Sequence, residues 1–528
     1  MKPPAVVGLH AQPLLFRKTP RYGHARQSLP ILLGVGTTAL LLGFGISRVS
    51  ATLVFPALAV ALATVALVML ATWVGPGALA KTRNLAAGFR WWHGLWFLVF
   101  VSGLTFRGRD IDTIQDAAVD FWAAWRIGLM GVVAMVLLGR LATRKADWVP
   151  ALLRGLPAGV FLYGLTSLLS TLWSVYPMWT LYKSLEYLVD VALLVAVVGA
   201  VRTVDEIKSL FDWTWLFSAV LLVTVWLGVL LRPEAVSTGV GLIGIQIRGV
   251  LPQIASNGVG ELGAILLVVA ATRLLFRNHH RSVYWLVCLA ALPTLVLSQS
   301  RSPATGAVLG LLAVFVLARR FGLLTLVGLA AAALMLLTNA EAVVQQAFLR
   351  GQDPQSFHSL SGRLDYWTFA LPILRENPFL GLGGYAAGRL AVLGPLGDPG
   401  NSSVHNAWLE ILLGVGVIGL LPFLATFLGI WLNLLRPLDA GSTPSLATEL
   451  QIETVGIFVL LCFRSIFTVE FIWHPPLLFF LVLGYAELLR RGRLEGTRAA
   501  QSAPAAWRRL GGVLAGVDRP LGDPVQGP

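Results

Sequence analysis

The stretch LFDWTWLFSAVLLVTVWLGVLL, Leu210 to Leu231, decides the fold class of this chain. It is a continuous apolar run in which Asp212 is the single charged residue. A helix of about 17–25 mainly apolar residues can cross the hydrocarbon core of a bilayer. The stretch is therefore predicted to be a membrane-spanning helix.

Apolar runs of this kind recur along the whole chain. Of the 528 residues, 56% are hydrophobic and only 12% are charged, whereas a soluble protein typically carries about 25% charged residues. We find fourteen candidate spans, at roughly 28–46, 51–74, 93–107, 127–140, 150–172, 178–200, 210–231, 259–276, 283–299, 303–318, 321–338, 407–433, 452–469 and 474–490. The predicted fold class is an all-α polytopic membrane helix bundle, with about 12–14 transmembrane helices and one large periplasmic loop.

The runs and the polar segments between them divide the chain into six predicted parts. These are a cytoplasmic N-terminal tail (1–27), N-terminal spans (28–145), a transmembrane core (150–338), a periplasmic loop with candidate active-site residues (339–404), C-terminal spans (405–490) and a disordered cytoplasmic tail (491–528). The apolar stretch that begins at Leu29 is followed by further spans, so we expect an anchor there and not a cleaved signal.

The distribution of basic residues predicts the orientation. With the N-terminus in the cytoplasm, the inner segments hold about 26 of the 40 Lys and Arg residues, in agreement with the positive-inside rule. Both termini are then cytoplasmic, and the loop at 339–404 lies outside. Most of the net charge of +14 is explained by topology, so binding to nucleic acid is not predicted.

Several cations lie on the outer side, where this rule leaves few. Arg301 stands in LSQSRSP (Leu297 to Pro303), a very short link between two spans. Arg248 stands in IRGVLPQIASN (Ile247 to Asn257), which leads into another span. Either could bind an anionic headgroup or diphosphate; the alternatives are a snorkelling interface arginine at Arg301 and a solvated loop cation at Arg248.

Arg363 is predicted to open a helix on the membrane surface. Leu364, Trp367, Leu371 and Leu374 follow it at i, i+3, i+7 and i+10, which is the spacing of an apolar helix face. The pair Asn377-Pro378 is predicted to end this helix. Arg363 would then lie in its first turn.

His405 closes the outer loop and is followed by Asn406. Histidine is the side chain best suited to accept a proton near neutral pH. A structural role is the alternative for a single histidine at the end of a span, and His474 and Glu410 are rival bases. A base beside several arginines would suit the attack of a hydroxyl next to a diphosphate leaving group.

The sequence contains no common metal or cofactor motif. It lacks a GxxxxGK[ST] phosphate loop, an HExxH motif and a CxxC pair, and its two cysteines, Cys288 and Cys462, both fall inside apolar runs. Chemistry without a metal or cofactor is therefore expected, with arginines in the phosphate-binding role.

These motifs together resemble the O-antigen ligase and polymerase superfamily, over roughly Tyr163 to Leu421. The resemblance is carried by STLWSVYP (Ser170 to Pro177), the segment from Arg248 to Asn257, LSQSR (Leu297 to Arg301), SGRLDYW (Ser361 to Trp367), NPFLGLG (Asn377 to Gly383), HNAWLE (His405 to Glu410) and GVIG (Gly416 to Gly419). The apparent spans up to about residue 140 depart from the superfamily's usual picture of about twelve spans.

The resemblance implies a membrane transferase that moves a glycan from an undecaprenyl diphosphate carrier. Arg301 and Arg363 would bind the donor diphosphate, with Arg248 and Asn406 as further substrate-binding candidates. His405 would be the catalytic base. The implied partners are the lipid-linked donor, a glycan or glycolipid acceptor and membrane lipids.

The implied location is the bacterial inner membrane. Two reactions remain open within the superfamily: ligation to a lipid A-core acceptor and polymerisation of repeat units. A transporter or flippase of lipid-linked sugars is the alternative from a different class. It would use ionisable groups near the bilayer midplane, for which Asp190 and Arg464 are the candidates.

Overall fold

The computed structural model describes residues 88–105, 121–143, 148–238, 244–276, 281–325, 328–329, 362–397, 403–436 and 445–492. They belong to one compact unit, Trp73–Pro528. Six predicted features fall wholly or largely outside the described residues: the N-terminal tail, the span at 28–46, the span at 51–74, the later part of the span at 321–338, the loop before residue 362 and the C-terminal tail.

Helices dominate the described part of the chain. The α-helices assigned within the described residues are α1 (Trp91–Ser102), α2 (Phe121–Ala142), α3 (Pro157–Leu169), α4 (Pro177–Ala200), α5 (Val204–Leu231), α6 (Ser256–Phe276), α7 (Arg281–Ser298), α8 (Arg301–Leu317), α9 (Arg363–Glu376), α10 (Ala407–Leu434), α11 (Leu446–Arg464) and α12 (Leu477–Arg490). Six of them (α2, α5, α6, α7, α10 and α11) are long and apolar enough to cross a membrane. The predicted all-α membrane helix bundle is confirmed.

The few strands lie between α5 and α6. β1 (Val236–Thr238) pairs antiparallel with β2 (Ile245–Ile247), and β3 (Gly249–Val250) pairs antiparallel with β4 (Gln253–Ile254). Single turns of 3₁₀-helix lie on both sides of α3, at Val149–Leu153 and Ser170–Leu172, and a π-helical turn forms at Gly388–Leu393.

Helix α10 is broken near its middle. Gly416 has φ +60° and ψ −162°, which is not a helical conformation. A Cβ at this position would lie 2.2 Å from the carbonyl carbon of Phe379, so only glycine allows the chain at Phe379 to approach this closely. The sequence motif GVIG therefore marks a helix break with another segment packed into it.

The segment at 377–384 hydrogen bonds to the broken part of α10. The Leu382 amide donates to the Leu413 carbonyl at 2.8 Å, and the Val417 amide donates to the Pro378 carbonyl at 2.9 Å. Irregular backbone within a membrane protein is tolerated where it is buried and its polar groups find partners. The two motifs NPFLGLG and GVIG are thus parts of one scaffold.

The motif STLWSVYP packs against the same segment. The Gly384 amide donates to Ser170 Oγ at 2.9 Å, and Thr180 Oγ1 donates to the Gly384 carbonyl at 2.8 Å. A Cβ at Gly383, where φ is +106°, would lie 2.1 Å from Ser174 Oγ. Three of the motifs that carry the resemblance therefore pack together and form a scaffold for the rest of the loop between α9 and α10.

A buried polar network connects the N-terminal helices to the core. Ser102 Oγ at the end of α1 lies 2.8 Å from His474 Nε2, and His474 Nδ1 lies 2.6 Å from Asp190 Oδ2 of α4. Arg126 of α2 donates to Glu186 of α4 at 2.6 and 2.8 Å. Helices α1 and α2, which the resemblance left without a role, are therefore integrated into the bundle by hydrogen bonds and ion pairs.

Candidate functional site

Arg301 and Arg363 are each the first residue of a helix, α8 and α9 respectively. Both side chains are partly buried. Burial lowers the pKa of Arg363, and the nearby positive charges of Arg301 and Arg464 lower it further. The structure thus brings the guanidinium groups of Arg301 and Arg464 within electrostatic reach of Arg363.

The turn that carries Arg301 is hydrogen bonded to β2 and to the start of α6. Ser300 Oγ donates to Asn257 Oδ1 at 2.7 Å, and Gln246 Nε2 donates to the Ser298 carbonyl at 3.0 Å. Gln246 lies in β2, and Asn257 is the second residue of α6. The motif IRGVLPQIASN therefore contributes to the site by positioning the Arg301 turn.

Helix α9 is attached to the loop that carries His405. Trp367, one turn after Arg363, donates from Nε1 to the Val404 carbonyl at 2.9 Å. The Val404 amide in turn donates to Glu410 Oε2 at 3.1 Å. The residue before His405 is thus fixed from both sides, by α9 and by the first turn of α10.

His405 has a left-handed backbone conformation, with φ +56°. This region is uncommon for residues other than glycine, and such conformations cluster at functional sites. Its amide donates to Ser403 Oγ at 3.3 Å, and its side chain is partly buried. The conformation turns the chain sharply just before α10 begins.

Asn406 caps the N-terminus of α10. Its Oδ1 accepts hydrogen bonds from the amides of Trp408 and Leu409, both at 3.0 Å. Asparagine is among the best residues for this role because it satisfies amides that have no partner within the helix. The cap accounts for the oxygen of the side chain, so a substrate contact from Asn406 would have to use its amide nitrogen.

Arg464, at the end of α11, lies close to the start of α10. The carbonyl of the next residue, Ser465, accepts a hydrogen bond from the Ala407 amide at 2.9 Å. The Arg464 side chain is buried and donates to Glu261 of α6 at 2.9 Å and, from Nε, to Glu470 at 3.1 Å. From the sequence, Arg464 is only a candidate midplane residue of a transporter. The sequence feature that could have indicated a role at this site is its position near the outer end of the predicted span 452–469.

An apolar cavity of about 390 Å³ lies beside the two glutamates. Glu261 and Glu470 line it together with residues from the end of α1 and from the turn before α12, among them Leu104, Pro475 and Leu478. Burial would raise the pKa of Glu470, but the charge of Arg464 outweighs burial and lowers that pKa. Glu470 is therefore a carboxylate and forms an ion pair with Arg464.

Arg248 lies on the exposed link between β2 and β3. Its amide donates to the Ala235 carbonyl at 2.9 Å and its Nε donates to the Glu234 carbonyl at 2.7 Å. It lines a second cavity, which shares Thr105, Gln253, Ile254 and Ala255 with the cavity beside Glu261. A role for Arg248 in substrate binding would thus be at the edge of the site.

The rival base His474 is buried, with 6% of its surface exposed. Both ring nitrogens have partners, since Ser102 and Asp190 occupy Nε2 and Nδ1. Glu410, the other rival, is 2% exposed and binds the Val404 amide. His405 is the more exposed of these three candidates.

Both midplane candidates for transport are paired with protein groups. Asp190 Oδ2 lies 2.6 Å from His474 Nδ1, and Arg464 donates to Glu261 and Glu470. Among the described residues, no three His, Cys, Asp or Glu side chains are grouped so that they could hold a metal ion. Independence from metal remains a prediction.

Residues 286–424, about a quarter of the chain, match the family model described as O-antigen ligase. This segment of the chain is thus similar to the O-antigen ligase family, in agreement with the resemblance drawn from the sequence motifs. No curated protein and no solved structure gives a significant match. The match supports an O-antigen ligase- or polymerase-type membrane glycosyltransferase in general terms.

The O-antigen ligase segment contains Arg301, Arg363, His405 and Asn406. It also contains the segment at 377–384 and the break in α10, which form the scaffold of the site. Arg248 and Arg464 lie outside the matched range, although Arg464 is within electrostatic reach of Arg363. The roles of individual residues therefore rest on the geometry described above.

Proposed function

We propose that the protein transfers a glycan from an undecaprenyl diphosphate carrier to an acceptor hydroxyl, as an O-antigen ligase acting on a lipid A-core acceptor. The observation that carries this proposal is the juxtaposition of Arg301 and Arg363 with the loop of His405, through the hydrogen bond from Trp367 to Val404. Cations that are close together and partly buried favour a polyanionic ligand such as a diphosphate.

In the proposed reaction the acceptor hydroxyl attacks the anomeric carbon of the donor sugar. A new carbon–oxygen bond forms as the bond from that carbon to the diphosphate oxygen breaks. His405 accepts the hydroxyl proton, and Arg301 and Arg363 stabilise the negative charge that develops on the diphosphate. The products are the transferred glycan and undecaprenyl diphosphate.

Polymerisation of repeat units is the second candidate, because it needs the same donor, base and cations. The two reactions differ only in the acceptor. In a purified system, transfer to lipid A-core alone would support ligation, whereas chain growth from donor alone would support polymerisation. Transfer to neither acceptor would contradict the proposed function.

We expect transfer by the purified protein to continue in EDTA. Arginines in the phosphate-binding role leave no need for a divalent cation to neutralise the leaving group. The measurement is product formation from lipid-linked donor with and without EDTA, followed by addition of Mg²⁺ or Mn²⁺. Activity that is lost on chelation and restored by either ion would show that a metal site takes part.

We propose further that the site faces the periplasm in a protein of the inner membrane, in keeping with the positive-inside distribution of Lys and Arg. The test uses single cysteines in a variant that lacks Cys288 and Cys462. A cysteine at Gly397 should react in whole cells with a thiol reagent that cannot cross the inner membrane, and one at Ala146 should not. The reverse pattern would place the site on the cytoplasmic side.

A further inference from the structure

Helices α6 and α11 carry two buried arginines, each held by two carboxylates, at opposite ends of the helix pair. Glu261 of α6 pairs with Arg464 of α11, and Arg273 of α6 pairs with Glu453 of α11. With a rise of about 1.5 Å per residue, the two pairs are roughly 16–18 Å apart along the helices. The second pair provides an internal comparison for the first.

At the Arg273 end, all three guanidinium nitrogens donate. Nε and Nη2 donate to the two oxygens of Glu453 at 2.8 and 3.2 Å, and Nη1 donates to Asp212. Both Arg273 and Glu453 are buried. This arrangement satisfies the guanidinium by protein groups alone, as expected for a structural ion pair.

At the Arg464 end, one nitrogen is left over. Nε donates to Glu470 and Nη2 donates to Glu261 and Glu470, but the buried Nη1 has no hydrogen-bond partner among the described residues. A buried donor without a partner is unfavourable, and more so when the donor is charged. Such a group in a folded protein calls for an explanation.

The location of Arg464 suggests an explanation for its buried nitrogen without a partner. Its charge acts on Arg363, and the residue after it is hydrogen bonded to Ala407, two positions beyond His405. Because Arg363 is repelled by both Arg301 and Arg464, an anion that binds beside Arg363 and within reach of the other two would be stabilised by all three charges. Arg273, by contrast, lies at the other end of the same helices.

We propose that Arg464 is a third arginine of the donor site and that its Nη1 binds the diphosphate. Glu261 and Glu470 hold the guanidinium in place through its other nitrogens. The inference rests on the proposed function, since it names a further ligand of the same donor. It also places the apolar cavity lined by Glu261 and Glu470 next to the diphosphate.

The test compares matched variants of the full-length protein in detergent. Farnesyl diphosphate is the anionic probe, and farnesol is the same chain without the anion. We expect Arg464→Gln to weaken binding of farnesyl diphosphate by roughly tenfold or more, the value of one charged hydrogen bond, and to leave farnesol binding unchanged. Arg273→Gln should lower the melting temperature but keep the wild-type affinity for both probes.

Wild-type affinity of Arg464→Gln for farnesyl diphosphate would overturn the proposal and make Arg464 a structural residue like Arg273. Equal weakening by Arg273→Gln would overturn it as well, because the effect would then be one of general destabilisation. Arg301→Gln and Arg363→Gln belong in the same series. If these two weaken binding and Arg464→Gln does not, only this inference fails; if none of the three does, the proposed donor site fails with it.

A second variant keeps the proposal testable if Arg464→Gln does not fold. Glu470→Gln removes a negative charge beside Arg464 but keeps an oxygen that can accept its hydrogen bond. We expect farnesyl diphosphate to bind several-fold more tightly to this variant, whereas Asp212→Asn, the corresponding change beside Arg273, should have no effect. Unchanged or weaker binding by Glu470→Gln would contradict a role for Arg464 in binding the anion.

Discussion

Replacing Arg363 by alanine is expected to abolish detectable glycan transfer, a loss of at least about 10²–10³-fold. Arg363 starts α9 and lies within electrostatic reach of Arg301 and Arg464. Its loss would remove a preformed cation from the place where charge develops on the leaving diphosphate. The measurement is product formation from lipid-linked donor by purified, folded variant protein.

Two further variants control this experiment. Arg375→Ala changes an exposed arginine in the last turn of the same helix and should leave transfer close to the wild-type rate. Arg363→Lys keeps the charge but loses the planar fork that binds two oxygens at once, so it should rescue poorly. Full activity of Arg363→Ala would refute the assignment, and the same standard applies to Arg301→Ala.

Replacing His405 is expected to lower turnover by roughly 10²–10⁴-fold, the usual contribution of a positioned general base. Donor binding should remain nearly intact, because the arginines are unchanged. The best variant is His405→Asn, since asparagine adopts the left-handed backbone conformation seen at this position more readily than alanine does. Single-turnover rates and donor affinity, measured separately, distinguish a base from a binding residue.

The rival bases provide the comparison for this prediction. His474→Ala should lower stability, because it opens the buried network with Ser102 and Asp190, but the folded fraction should keep its turnover. Near-normal turnover in His405→Asn together with loss in Glu410→Gln or His474→Ala would move the base to one of those residues. Loss of donor binding in His405→Asn would instead assign His405 to recognition of the leaving group.

Features that depend on residues close together in the chain could be read from the sequence. The apolar spacing after Arg363 and the pair Asn377-Pro378 predicted a helix that the structure confirms at Arg363–Glu376. The long apolar runs predicted a membrane helix bundle for the same reason: the length and composition of a single segment decide whether it can cross a bilayer. Arg301 and His405 could be predicted as candidate site residues because each lies at the end of such a segment.

Other motifs were recognised without their physical role. STLWSVYP, NPFLGLG and GVIG carry the resemblance to the superfamily. The structure shows that these three motifs are joined by hydrogen bonds around the break at Gly416. Asn406, chosen for its place beside His405, is the cap of α10. Local patterns do not distinguish a residue that meets a substrate from one that positions its neighbour.

The sequence by itself identifies a helical membrane protein with several segments that can span a bilayer. It also predicts, from the distribution of basic residues, which cations lie on the outer side. Only the tertiary structure decided which charges are partners. Arg464 and Glu261 are about two hundred positions apart in the chain and meet because α6 and α11 pack together. Burial of a charge demands a partner, but the sequence does not say which one. That the Nη1 of Arg464 has no hydrogen-bond partner among the described residues is seen only in the folded chain.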